Sequence, residues 1–480
     1  MTFHIDRKRL SDAATQIIVM WNSLWTRWNP VIAIVTVWAA ATMPLVWLRG
    51  YNSDEGLAVS IARTALEDGY WLTPHMFNLR WIERPTLLSW IIAAVSLPFG
   101  QVSQVTARLP VALFLLLGCL LIYSLLRKVG ASVPASAIAT GAFLACPLVQ
   151  RSYVMPTADM PLSVLLFLAF VLWWDGFAYS RVSLRRWILI GIVLALAGLM
   201  KGPEPIAYFA LGLGLFTLIS REWSLLPGLL LAGTICIAPL IAWYDYVYLS
   251  GDEGQWAAFM RFRPAVQLAG PVEEVIRLFF DILPAALIAI MFPFANWSKE
   301  KQTTQSTFTL ALACYAFTAA IIVLFWPGGS TARYFFPTIL PLCVFGGLAY
   351  DAISTQRQFA TATNLLVVTA LILYALVYSL VAAPLLPMRF RGSEIKAATI
   401  TKLMQAAPAP VYRTGAAALN VLPYVPGRIF SKTLSELKIV RGPAWIIVSP
   451  AEANILQSER TGLHFVMPAD ENSDQLLHLD

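Results

Sequence analysis

Charged residues are scarce in this sequence. Only 13% of its 480 residues are charged and 58% are hydrophobic, whereas soluble globular proteins carry about 25% charged and about 45–50% apolar residues. This composition excludes a cytosolic enzyme and a disordered chain. The five cysteines all lie within apolar runs and the four histidines form no cluster, so neither a disulfide scaffold nor a zinc site is predicted.

Long apolar runs are abundant instead. A membrane-spanning helix needs about 20 apolar residues. Runs near this length predict about eleven spans, at 30–48, 108–127, 133–150, 160–178, 185–200, 204–219, 225–247, 275–297, 307–326, 333–350 and 362–383. The apolar segment 86–99 is too short to cross and is predicted to lie at the interface. We therefore expect an all-α polytopic membrane domain over 1–383.

The distribution of positive charge predicts the orientation. Arg7, Lys8, Arg9 and Arg27 precede the first span, which places the N-terminus in the cytoplasm, and the later basic loops agree with that placement. These cytoplasmic loops hold most of the excess that gives the net charge of +7, so nucleic acid is not an expected partner. After eleven crossings, residues 384–480 lie outside as a small α/β domain, with a strand predicted at Ala444–Val448.

Carboxylates occupy two of the predicted outer loops. The first loop, 50–107, holds Asp54 and Glu55 directly after a span and Glu83 further along, and Asp159 begins a later span on the same side. Such residues either cap helices or act as a base, an acceptor site or a cation site at the mouth of the bundle. The local spacing leaves both interpretations open.

Cations also lie in the predicted outer segments, against the usual charge bias. They are Lys201, Arg261, Arg263 and Arg333, the last followed by Tyr334. Lys and Arg side chains at a membrane face either extend toward lipid headgroups or bind phosphate. Together with the carboxylates, they predict an anionic, lipid-borne substrate.

The order of these motifs resembles a known family. The first outer loop contains Asp54-Glu55, Gly69-Tyr70-Trp71, Pro74-His75 and Glu83-Arg84-Pro85; Asp159-Met160-Pro161, Met200-Lys201-Gly202-Pro203 and Arg333-Tyr334, with Pro337 and Pro341, follow. Over about 50–350, this pattern resembles the membrane glycosyltransferases of the GT-C fold, and more narrowly the protein O-mannosyltransferases and the lipid A aminoarabinose transferases. Arg84 stands where the family has Lys, and Leu57-Ala58 where the aminoarabinose transferases have Arg-Tyr.

The resemblance implies transfer of a sugar from a polyprenyl-phosphate carrier, at the periplasmic face of a bacterial inner membrane and with inversion. It implies Asp54 as the lead catalytic carboxylate and Asp159 as the second. The implied phosphate ligands are Arg84, Lys201, Arg333 and Tyr334, with Arg261 or Arg263 replacing the missing Arg-Tyr pair. Glu55 and Glu83 would support the site; no cofactor is required, although Glu83 could join a divalent-cation site.

The acceptor stays open at this stage. A glycolipid or envelope glycan similar to lipid A or lipopolysaccharide is favoured, and the alternative is Ser or Thr of exported proteins. A lipid or solute transporter is the rival of another class. Transporters tend to show internal repeats, and this sequence shows no repeat.

Overall fold

A computed structural model of the chain describes residues 29–48, 50–51, 53–81, 83–179, 181–249, 280–283, 285–290, 302–324, 332–354, 383–414, 417–470 and 474–480. Arg261, Arg263 and nearly all of the predicted span 362–383 lie outside these residues. The described part is mostly helical, followed by one mixed sheet near the C-terminus.

The N-terminal half contains helices of very different length. They are α1 (Pro30–Leu48), α2 (Ser53–Asp68), α3 (Leu87–Ser96), α4 (Gln104–Lys128), α5 (Val133–Ala145), α6 (Pro147–Arg151), α7 (Asp159–Phe177), α8 (Leu184–Lys201), α9 (Glu204–Ser220) and α10 (Leu226–Leu249). Serine N-caps start several of them. Ser103 accepts a hydrogen bond from the Thr106 N–H and Ser183 from the Arg186 N–H, which satisfies a backbone donor that the first helical turn leaves unpaired.

The C-terminal half adds four further helices, one of them only six residues long, and then the sheet. The helices are α11 (Ala285–Ile290), α12 (Gln302–Leu324), α13 (Phe336–Ser354) and α14 (Ala383–Ala406). Aromatic side chains of α7, α9 and α12 form the centre of the bundle, where Phe170 lies near Trp173 and Tyr315, and Phe216 packs edge-on against Trp173.

Among the described residues, six helices are long and apolar enough to cross a membrane. They correspond to the predicted spans that begin near 30, 108, 160, 225, 307 and 333. Helix α8 has 18 residues but carries three basic residues, and α9 and α5 are shorter apolar helices. The predicted interfacial segment forms α3, whose 10 residues extend about 15 Å, half of the bilayer core of about 30 Å.

The predicted span 133–150 is wrong as a single helix. Helix α5 ends at Ala145, and α6 begins at Pro147. Cys146 between them has φ −62° and ψ 129°, because the residue before a proline is pushed from the helical into the extended region. This break turns the chain toward Asp159.

The sheet is built from β3 (Val411–Arg413), β4 (Ile429–Ser431), β5 (Ala444–Val448), β6 (Leu463–Pro468) and β7 (Gln475–Leu479). Its order is β4-β3-β5-β7-β6, parallel from β4 to β5 and antiparallel from β5 to β6. The predicted strand Ala444–Val448 is present, and all five of its residues are buried. Helices α15 (Leu434–Lys438) and α16 (Pro450–Glu459) accompany the sheet.

A short hairpin links the first outer loop to this sheet. It consists of β1 (His75–Met76) and β2 (Leu79–Arg80). The buried residues Met76 and Phe77 belong to one apolar cluster with Val411, Trp445 and other residues of the sheet. The first outer loop and the sheet therefore share a hydrophobic core.

Candidate active site

Asp159 is the centre of a cluster that joins three distant parts of the sequence. Its carboxylate lies 2.8 Å from the ammonium of Lys201 and 3.6 Å from Nε of Arg333. Asp159 begins α7 and Lys201 ends α8. Because α7 and α8 pack side by side and a short connection joins the end of one to the start of the other, the start of α7 and the end of α8 lie at the same end of the bundle.

Tyr334 completes the cluster. The ammonium of Lys201 lies 4.0 Å from the centre of the Tyr334 ring, and the guanidinium of Arg333 lies 5.8 Å from it. A lysine between a carboxylate and an aromatic face is held by both the charge and the ring quadrupole. Beneath this cluster, Glu204 and Tyr208 line a smaller space of about 290 Å³ that also contacts Asp159 and Lys201.

An open cleft of about 600 Å³ lies above the cluster. Its charged lining consists of Arg84, Asp159, Lys201 and Arg333, three cations against one carboxylate. Its other walls are mostly apolar and include residues of α2, α3 and the turn before Asp159: Leu57, Ala58, Ile61, Trp81, Pro85, Leu88, Pro156 and Met200. Such a cleft fits a ligand with an anionic group and a nonpolar body.

The structure places Asp54 in the first turn of α2. Leu57 and Ala58, which line the cleft, follow Asp54 by three and four residues. Positions with this spacing share one face of a helix, so Asp54 precedes the cleft-lining residues in the sequence of the same helix.

Glu55 is placed away from the cleft in a buried ion pair. Its carboxylate lies 3.3 Å from Nη2 of Arg108, and both side chains are fully buried. Arg108 also donates to the carbonyl oxygens of Val46 and Gly50, at 3.1 and 2.9 Å. Glu55 therefore joins the start of α2 to α4 and to the end of the preceding helix.

The remaining sequence-predicted residues do not enter the cluster. Glu83 is exposed and does not line the cleft, while Arg261 and Arg263 lie outside the described residues. Within the part of the chain that the structure describes, no three His, Cys, Asp or Glu side chains are grouped as a metal site. The cations that the structure brings together are thus Arg84, Lys201 and Arg333.

Arg108 is a residue that the sequence analysis missed. It lies inside the apolar run of α4, and an arginine within a membrane span is costly unless it is paired. That isolated charge was a usable signal. Glu204 and Tyr208 gave a weaker one, because Glu204 is the first residue of α9 and acidic residues are common at helix starts.

Tyr424, in the C-terminal part of the chain, contacts the segment before α2 and the start of α4. The Tyr424 hydroxyl accepts hydrogen bonds from the Tyr51 N–H at 2.9 Å and from Nε2 of Gln104 at 3.2 Å. The Tyr424 ring stacks on that of Tyr51, with 4.8 Å between centroids. Burial raises the pKa of Tyr424 to about 12, so its hydroxyl keeps its proton at neutral pH.

Gly56 marks the closest approach of the two parts. A Cβ at this position would lie 1.7 Å from the carbonyl oxygen of Leu419. Only glycine allows backbone to come this near, so α2 and the 419–420 segment are in direct backbone contact.

The hairpin that follows α2 is fixed by His75. The His75 ring stacks on Tyr70 with 3.8 Å between centroids, and its Nδ1 lies 2.6 Å from the Thr73 carbonyl oxygen. Burial lowers the pKa of His75, although the contact with Thr73 opposes that shift. The imidazole is therefore neutral at pH 7, and its contacts are local.

The chain is similar to several known proteins. The family model described as dolichyl-phosphate-mannose-protein mannosyltransferase matches residues 83–244. ArnT from Cupriavidus metallidurans, bound to undecaprenyl phosphate, has a TM-score of 0.70 at 17% identity, covering 93% of this chain and 97% of that one. The chain has the GT-C fold. The resemblance to the aminoarabinose transferases and protein mannosyltransferases is thereby confirmed.

The chain is also similar to other glycosyl-transferring proteins. The undecaprenyl phosphate-alpha-4-amino-4-deoxy-L-arabinose arabinosyl transferase 2 of Proteus mirabilis is 22% identical over 330 residues, which are 64% of this chain and 56% of the relative. The corresponding enzyme of Erwinia tasmaniensis is 23% identical, with 71% and 63% covered. The chain thus spans about 60% of the length of these two relatives. The oligosaccharyltransferase of Archaeoglobus fulgidus has a TM-score of 0.52 at 12% identity, covering 92% and 72%.

Proposed function

We propose that this protein is a glycosyltransferase that moves a sugar from a polyprenyl-phosphate carrier to a glycolipid or envelope-glycan acceptor. The excess of cations in the cleft is the observation that carries the proposal. Arg84, Lys201 and Arg333 line it together with one carboxylate, so a phosphate brings the site closer to neutrality. The apolar walls suit the first part of a polyprenyl chain.

The cations have a direct role in the proposed reaction. As the bond between the sugar carbon and the phosphate oxygen breaks, its electron pair stays on the phosphate, whose negative charge increases. Arginine and lysine already fixed in place stabilise that increase without reorganisation, which lowers the barrier. Asp159 holds Lys201 and Arg333 at 2.8 and 3.6 Å, and we assign it the role of positioning them.

Asp54 is the proposed base. With a hydroxyl acceptor, the acceptor oxygen forms a bond to the sugar carbon on the face opposite the departing phosphate, and the hydroxyl proton moves to Asp54. With a phosphate acceptor, no proton needs removal, and Asp54 orients the acceptor and offsets positive charge on the sugar ring. Both routes invert the sugar carbon.

The orientation and domain boundaries belong to the same proposal. We infer about eleven spans over 1–383, a cytoplasmic N-terminus and a periplasmic domain over 384–480, in a bacterial inner membrane. The contact of Gly56 with Leu419 supports this, because it joins the start of α2 to a residue of the proposed periplasmic domain. Relatives named for undecaprenyl-phosphate donors support the inner-membrane location.

The acceptor has a second candidate. The family model that matches residues 83–244 is described by protein mannosylation, which favours Ser or Thr of an exported protein. The curated relatives named for transfer of a lipid-carried aminosugar favour the first candidate.

The test is donor consumption by the purified full chain in detergent. Wild type, Asp54→Asn and Asp159→Asn are incubated with a panel of polyprenyl-phosphate sugars and either envelope lipid extract or Ser/Thr peptide, and released polyprenyl phosphate is measured. Loss of a general base should lower turnover about 10²–10⁴-fold in Asp54→Asn. Asp175→Asn, which removes a carboxylate paired with Lys128 at the other end of α7, is the matched control. Donor release by Asp54→Asn at the wild-type rate would contradict the proposed base.

A further inference from the structure

A second cleft lies at the far end of α2. It has a volume of about 520 Å³ and is formed by the end of α2, the β1–β2 hairpin and the edge strand β4. Arg63, Glu67 and Asp68 line one side, and Gly427, Arg428 and Phe430 line the other. None of the residues proposed for the reaction lines this cleft.

The charges in this cleft are balanced, unlike those in the first. Nε of Arg63 lies 2.9 Å from the Glu67 carboxylate, and Nη2 of Arg428 lies 3.1 Å from that of Asp68. Two cations facing two carboxylates give no net attraction for phosphate. The Arg428 guanidinium and the carboxylates of Glu67 and Asp68 stay partly exposed. They present donors and acceptors side by side, which suits a ligand rich in hydroxyl groups, since each hydroxyl both donates and accepts.

Aromatic rings complete the lining. Tyr70 is 39% exposed and Phe430 is 37% exposed, and both line the cleft. A ring with one open face in a cleft offers a flat apolar platform beside the polar groups. Flat apolar faces bordered by hydroxyl groups are the surface pattern of a pyranose ring.

The cleft is held rigid by backbone contacts. Arg63 donates to the carbonyl oxygens of Val425 and Gly427 at 2.6 and 2.7 Å. The Asn78 amide pairs with the backbone of Ser431 on β4, donating to its carbonyl oxygen at 3.2 Å and accepting from its N–H. A site shaped before binding loses little conformational freedom when it is filled.

The position of the cleft relates it to the first one. Ala58 lines the first cleft and Glu67 the second, and nine residues of one helix separate them by about 14 Å. Nine residues also turn the helix by about 900°, so these two residues lie on opposite faces of α2, and a saccharide chain that reaches both clefts must pass around the helix as well as along it.

We propose that the second cleft binds a saccharide, and that this saccharide is the part of the acceptor away from the reacting group. Only the second half of this statement rests on the proposed function. Binding of a sugar chain by the cleft can be measured without any turnover.

The test is binding of oligosaccharides to the full chain in detergent micelles. The probes are water-soluble oligosaccharides released from envelope glycolipids by mild acid, with a Ser/Thr peptide and inorganic phosphate as comparisons. Phe430→Ala removes one platform and Phe430→Trp restores a ring. Phe465→Ala, which removes a more exposed ring (50%) on β6, is the control.

We expect the dissociation constant for the oligosaccharide to rise at least tenfold in Phe430→Ala and to stay within threefold of wild type in Phe430→Trp and Phe465→Ala. Equal affinity in all four proteins overturns the proposal, as does a wild type that binds only the peptide or phosphate. Recovery in Phe430→Trp separates the lost platform from misfolding. Oligosaccharide binding without polyprenyl-phosphate release from any donor supports the saccharide site and contradicts the proposed function. Polyprenyl-phosphate release without oligosaccharide binding supports the proposed function and contradicts the saccharide site.

Discussion

Replacing Gly56 with alanine tests whether the C-terminal domain sets the position of the proposed base. The new Cβ would lie 1.7 Å from the Leu419 carbonyl oxygen, and ordinary contact begins at 3.4 Å. Helix α2 and the 419–420 segment must therefore separate by about 1.7 Å, and a misplacement of about 1 Å at a reacting group can cost about 10²-fold in rate. We expect turnover to fall about 100-fold or more, with a much smaller change in donor affinity.

Donor affinity should survive because the cations come from other elements. Arg84, Lys201 and Arg333 do not belong to α2. The assay is therefore kcat for polyprenyl-phosphate release, measured beside equilibrium binding of polyprenyl phosphate. Overpacking should also lower the free energy of unfolding by about 1–3 kcal/mol, so turnover is compared at a temperature where both proteins are folded.

Gly214→Ala is the matched control. Gly214 lies within α9, and a Cβ there meets nothing within 4 Å. Alanine is the better helix former by about 0.5–1 kcal/mol, so this variant should be as stable as wild type or more stable, with unchanged turnover. Wild-type kcat in Gly56→Ala would refute the view that the C-terminal domain positions Asp54.

Three further outcomes follow from contacts of the same region. Glu55→Gln should lower the free energy of unfolding by about 3–5 kcal/mol, because it removes one charge of a fully buried ion pair. Combining it with Arg108→Met should recover most of that loss, and simple additivity in a denaturation series would argue against the pair. Lys201→Met should weaken binding of polyprenyl phosphate about 10–100-fold, the value of one charge-assisted hydrogen bond. Arg333→Lys, which keeps the charge, should weaken it less. A titration in which Lys201→Met and wild type bind polyprenyl phosphate equally would exclude Lys201 from the phosphate site. Burial lowers the pKa of His75, so the unfolded chain takes up a proton at this residue first as the pH falls. The contribution of His75 to stability should therefore be constant above about pH 6.5 and decline below it. His75→Gln should remove this part of the slope in melting curves taken between pH 5 and 7.5, and an unchanged slope would mean that another group causes it.

Much of the first cleft could be predicted from the sequence, because its residues lie at the ends of predicted spans. Asp159 starts one span, Lys201 ends another and Arg333 precedes a third. Charge bias assigns each of these ends to one side of the membrane, and helices in a bundle bring ends on one side together. The charged residues and the predicted orientation of the spans therefore both indicated a site at this end of the bundle.

The role of Glu55 could not be predicted in this way. Its neighbour Asp54 has the same charge, and nothing in the local pattern indicates that Glu55 pairs with the buried Arg108. This pairing arises from how α2 packs on α4, which depends on many side chains. Arg108 itself was visible as a lone charge in an apolar run, but its partner was not.

The number of spans was also only partly predictable. Apolar length marks a span, yet Pro147 ends helix α5 early within a run that hydropathy treats as continuous. The docking of α2 on the C-terminal domain had no sequence signal at all, because Arg63 bonds to the backbone oxygens of Val425 and Gly427, and every residue has such an oxygen.

In the proposed reaction, the ion pair between Asp159 and Lys201 also has a consequence for the step after sugar transfer. The Lys201 ammonium already has an anionic partner at 2.8 Å, the Asp159 carboxylate. An arriving phosphate therefore either binds Lys201 together with Asp159 or displaces Asp159 from it. The released polyprenyl phosphate competes with the Asp159 carboxylate for the Lys201 ammonium, and this carboxylate stays within contact distance. In the proposed reaction, Asp159 is therefore a resident counter-ion that limits product inhibition, and the strength of its ion pair with Lys201 sets the balance between binding a new donor and releasing the used carrier.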